Sequence, residues 1–100
     1  MGFFNAISSI NKINALLKDL ENQVTITQGQ IEHNAPVQNL RNSLNVHKRI
    51  HQDLIDLFGH SSAAQVAMFT IFGDKMQMHG ILTYSKNLIY NLAAVIATRE

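Results

Sequence analysis

The chain has 100 residues, enough for one domain with a core of its own. It contains no cysteine, which excludes disulfides, thiolate metal sites and cysteine nucleophiles. Eight basic and seven acidic side chains leave a net charge of +1, too little field to draw nucleic acid or an anionic membrane.

The first predicted element is a helix over about 3–28. Phe3, Ala6, Ile10, Ile13, Leu17, Leu20 and Val24 recur with three- and four-residue steps. That is the spacing of a coiled-coil seam. The β-branched run Thr25-Ile26-Thr27, followed by Gly29, predicts a stop between Gln28 and Asn34. The start, Met1-Gly2-Phe3-Phe4-Asn5, has neither a basic n-region nor a small-residue cleavage site, so no secretory signal is expected.

A second helix is expected over about 35–58, with Asn34 as its N-cap, Pro36 in its first turn and Gly59 just past its end. Its apolar stripe reads Val37, Leu40, Leu44, His47, His51, Leu54, Phe58. Two histidines therefore stand in the middle of an apolar seam, where a polar group must find a partner. Three readings follow. His47 and His51 form a polar layer that fixes register, as a buried asparagine does in coiled coils. Alternatively, they are half of a transition-metal or haem site, completed by the same pair from a second copy. The third reading is a seam that loosens when the histidines are protonated. The zincin pattern is not met, because Lys48 follows His47 where a glutamate is needed.

The third helix is expected over about 62–98, with Ser61 or Ser62 at its start. It is apolar over a wide arc that includes Met78, Leu82 and Ile89, which suits a central or interfacial helix. Gly80 is expected to mark a close approach to another helix. Val66 to Tyr84 has a competing reading as a β-hairpin about Gly73-Asp74-Lys75, carried by Ile71, Phe72, Ile81, Thr83 and Tyr84. No apolar run is long enough to span a bilayer.

The corner Leu57-Phe58-Gly59-His60-Ser61-Ser62-Ala63-Ala64, with Phe69 beyond it, resembles the helix-turn-helix corner of the WXG100 family. Leu57 stands where that family has tryptophan, and Pro36 interrupts the first helical arm. The resemblance implies a small helical hairpin, exported without a cleaved signal peptide, that pairs with a partner protein.

The expected fold is all-α: an antiparallel three-helix bundle or helical hairpin, completed by homodimerisation. The expected interface residues are Phe3, Ile10, Leu17, Val24, Leu44, Leu54, Phe58, Met78, Leu82 and Ile89. No nucleophile elbow, phosphate-binding glycine loop or acidic pair on an apolar face is present. The expected function is thus a non-enzymatic, self-associating interaction or scaffold protein in the cytoplasm, without a cofactor. The alternatives are a metal- or haem-binding bundle using His47 and His51, and a WXG100-like secreted partner.

Overall fold

The computed structural model describes residues 2–100, with side chains from Ile7 onward. The expectations for the side chains of Phe3 and Ala6 lie outside the described residues. Helix occupies 81% of the chain. The elements are α1 (Gly2–Glu32), α2 (Val37–Gly59), α3 (Ser62–Val66), β1 (Phe69–Ile71), β2 (Asp74–Met76) and α4 (Met78–Arg99).

Helix α1 runs past the expected bound at Gln28 and stops at Glu32, inside the window between Gln28 and Asn34 where a stop is expected. Thr25 bonds its hydroxyl back to Glu21 O at 3.1 Å, and Thr27 is buried against α2, so tertiary contacts outweigh the weak local propensity. The helix ends in a Schellman arrangement. Ala35 N–H donates to Gln30 O at 2.9 Å, Asn34 N–H donates to Ile31 O at 3.3 Å, and Asn34 takes a left-handed φ of 53°. Asn34 therefore closes α1 and does not cap α2. Pro36 precedes α2 with φ −55° and ψ 145°, and no side chain caps that helix. Gly59 is the last helical residue, and His60 is the C-cap.

The single helix expected over 62–98 is not formed. Ser61 caps only the five-residue α3, accepting a bond from Ala64 N–H at 3.2 Å. A β-hairpin and then α4 follow. Strand β1 pairs with β2 antiparallel in the register Phe69↔Met76, Thr70↔Lys75, Ile71↔Asp74. Phe69 and Ile71 face the core while Thr70 faces out, a period of two that no helix produces. The apex is Phe72-Gly73, with φ of 48° and 83°. Positive φ at both positions is the condition for a tight type I′ hairpin. The competing hairpin reading therefore holds for 69–76, with its apex at Phe72-Gly73 and not about Gly73-Asp74-Lys75, but Ile81, Thr83 and Tyr84, which it placed in the second strand, lie in α4.

Helix α2 packs on both α1 and α4. Among the described residues no Cα of α1 lies within 8 Å of one in α4. The two flanking helices run in the same direction. Near its start, α4 places Tyr84 beside Glu21 of α1, and at its end Arg99 donates to Ile31 O at 3.3 Å. Between them lies a cleft with α2 as its floor. The hairpin closes one half of that cleft: β1 packs on both α1 and α4. Phe69 meets Phe58 of α2 edge-to-face at 5.6 Å between ring centres. Phe72 N–H donates to the Glu21 carboxylate at 2.6 Å and pins the apex to α1.

The main core joins Ile13, Leu17, Leu20 and Val24 of α1 to Ile50, Leu54 and Phe58 of α2, with Ala64, Phe69, Ile71 and Ile81. A second cluster of Leu40, Leu92 and Ile96 holds α4 to the start of α2. Gly80 does not mark a helix crossing. A Cβ there would stand 3.0 Å from the Cβ of Met76, at the end of β2.

Candidate functional site: a polar layer beneath an open cleft

The residues buried on α2 are Leu40, Ser43, His47, Ile50, Leu54 and Phe58. Their three- and four-residue steps put Ser43, His47 and Ile50 on the buried line, rotated from the predicted one. His47 is only 2% exposed, and His51 is half-buried.

The two rings turn to different helices. His47 Nε2 lies 3.1 Å from Thr27 Oγ1 of α1. His51 Nδ1 lies 2.9 Å from Ser85 Oγ of α4, itself 1% exposed. The layer extends around Thr27. Gln23 Nε2 donates to Thr27 Oγ1 at 3.3 Å and to Ser43 Oγ at 3.0 Å, and Ser43 donates to Gln30 Oε1 at 2.7 Å. Thr27 Oγ1 accepts from Gln23, and among the described residues His47 Nε2 is the acceptor within reach of the Thr27 hydroxyl proton, which we take to assign that proton to the bond with Nε2. The ring proton of His47 then sits on Nδ1, which is buried and has no hydrogen-bond partner.

Burial lowers the pKa of both histidines, and the positive charge of Lys86 lowers that of His51 further. Both rings are therefore held in their neutral form. Burial also raises the Tyr84 pKa, and the Glu21 carboxylate adds to that rise.

The chain's other histidines and the two aspartates of α2 do not join the pair. His33, His60 and His79 are exposed, as are Asp53 and Asp56. His60 is occupied locally, donating from Nδ1 to Asp56 O at 2.6 Å. Among the described residues no three His, Asp or Glu side chains are grouped to hold a metal ion.

Of the expected interface residues, Leu17, Val24, Leu54 and Phe58 lie in the chain's own core. Ile10, Leu44, Met78 and Leu82 pack partly buried against it, and Ile89 is half-buried. Sequence reasoning missed Gln23, Thr27, Gln30, Ser43 and Ser85. Ser43 carried a signal, since it stands three residues from Leu40 and four from His47 on one helical line.

The half of the cleft that the hairpin leaves uncovered begins one turn beyond its apex. A cavity of about 110 Å³ opens there, walled by Val24, Thr27 and Ile31 of α1 and by Leu88, Leu92 and Val95 of α4, with His47 also lining it. Gln28 and Asn91, both exposed, stand at its mouth.

No family model matches the chain, and comparison with curated proteins and with solved structures found no similar protein. No described helix is long and apolar enough to cross a membrane. The corner after Gly59 leads into a five-residue helix and a strand, whereas the WXG100 resemblance implied a long second helical arm.

Proposed function

We propose that the protein is a small non-enzymatic helical binding module that works as a self-associated pair. Phe72 is the observation that carries this reading. It is a bulky aromatic residue held at φ 48° at the hairpin apex, with half of its surface exposed. Left-handed backbone costs an ordinary L-residue about 1–2 kcal/mol, and asparagine or glycine would relieve it. Strain of this kind at an exposed site is a mark of use.

Two further apolar side chains lie close by in sequence, Val66 at 71% exposure and Met68 at 57%. With charged residues at only 15% of the chain, little electrostatic repulsion opposes a second copy. Pairing of like surfaces about a two-fold axis would cover this apolar set on both protomers.

The test is light scattering at micromolar concentration. Twice the 11.2 kDa chain mass is expected, falling to the single mass in Met68→Glu/Phe72→Asn. A wild-type chain that remains a monomer throughout the concentration series refutes self-association.

A further inference from the structure

The uncovered half of the α1–α4 cleft is the feature that the self-association reading leaves unused. Its walls are aliphatic: Val24 and Ile31 on one side, Leu88, Leu92 and Val95 on the other. His47 also lines it, 2% exposed, with one ring nitrogen unpartnered. Among the described residues this Nδ1 is the buried side-chain polar atom left without a partner.

A buried donor of this kind is expensive unless something accepts from it. Water is a poor answer, because an ordered buried water needs two to four polar partners. Of the other polar groups that line the cavity, the Thr27 hydroxyl is already shared between Gln23 and His47, and the Gln28 and Asn91 amides stand at the exposed mouth. Aliphatic walls and one free donor suit an apolar body with a single acceptor. A dry apolar cavity of ~150 Å³ takes up benzene. The present space of about 110 Å³ opens at its mouth, so a six-membered ring seats with part of its edge toward Gln28 and Asn91.

We propose that this cleft is a binding site for a small neutral monocyclic molecule carrying one oxygen acceptor, of the class of cyclic ketones. The ring packs between α1 and α4, and the ligand oxygen accepts from His47 Nδ1–H after a small movement of the imidazole. The ligand is neutral because the histidine facing it is held neutral by burial and no cation stands in the wall. The site does not depend on self-association through the hairpin.

The experiment is an NMR titration of the full chain with cyclohexanone and with its carbon isostere methylenecyclohexane. Saturable shifts are expected at Thr27, His47, Leu88 and Leu92. Cyclohexanone should bind about tenfold more tightly than the isostere, the ratio that one hydrogen bond of ordinary net strength supplies. His47→Leu should erase that ratio while both compounds still bind. Val95→Phe, at the half-buried rim and away from the polar layer, should block both while its melting transition persists, and it serves also if His47→Leu fails to fold. The absence of saturable shifts, equal affinity for the two compounds in the wild type, or a water on Nδ1 that cyclohexanone does not displace overturns the proposal.

Discussion

Lowering the pH from 7 to 5 should destabilise the protein through His47. The unfolded histidine titrates near 6.5, and burial holds the folded ring below that value. In the window between those two pKa values the unfolded chain binds a proton that the folded chain does not. Stability is therefore fully present above pH 6.5 and is lost as the pH falls. Each bound proton contributes about 1.4 kcal/mol per pH unit. From 6.5 to 5 this gives at most about 2 kcal/mol for His47, reached if its ring stays neutral throughout. That is a large part of the ~5–15 kcal/mol that a domain of this size typically has.

The site gives the imidazolium no help. Thr27 can turn its hydroxyl oxygen toward one nitrogen only, and Nδ1 has no acceptor. His51 adds a smaller loss of the same sign, because it is less buried and Lys86 repels its charged form. The assay is urea denaturation at pH 7, 6 and 5, above the range in which carboxylates titrate. His47→Leu should flatten most of the slope. It also removes an unpaired buried donor, so its stability at pH 7 should match or exceed that of the wild type. A flat wild-type profile, or an equal slope in His47→Leu, refutes the reasoning.

Four further outcomes follow from packing and capping. Leu54→Ala, at a fully buried position on α2, should cost about 2–5 kcal/mol in the same denaturation assay. Gly29→Ala should stabilise by about 0.5–1 kcal/mol, since a Cβ there meets nothing within 4 Å and the helix gains propensity. Gly80→Ala should give no such gain, because its Cβ would press on Met76 Cβ at 3.0 Å. Ser61→Ala should cost about 1 kcal/mol by removing the cap on Ala64 N–H, read as a lower melting temperature.

The long helices were legible because their apolar residues repeat at helical steps. Ile13, Leu17, Leu20 and Val24 are buried as the spacing of α1 required, and Leu40, Leu54 and Phe58 likewise on α2. The ends were less legible. Asn34 suits either side of a helix boundary by composition, and only the bonds from Asn34 N–H and Ala35 N–H assign it to the end of α1. The hairpin was obscured by its apex. A tight turn of this type is announced by Asn-Gly or Asp-Gly, and here phenylalanine takes the first left-handed position. Three-residue strands are also too short to establish alternation against helix-favouring methionines. The histidines were visible as polar groups in an apolar line. Their divergence was not, because Thr27 and Ser85 approach them from helices distant in sequence.

The arrangement of α1 and α4 on either side of α2 has a consequence for how the molecule comes apart. Beyond the hairpin, α4 is fastened mainly to α2, through Leu40, Leu92 and Ile96 and the exposed Arg41–Glu100 pair. Its second half can lift away while the α1–α2 hairpin stays assembled around Leu17, Leu20 and Leu54. Native-state hydrogen exchange would then divide the chain into two cooperative units. Amides of residues 88–99 would exchange by a lower-energy opening than those in the middle of α2, whose protection would report global unfolding.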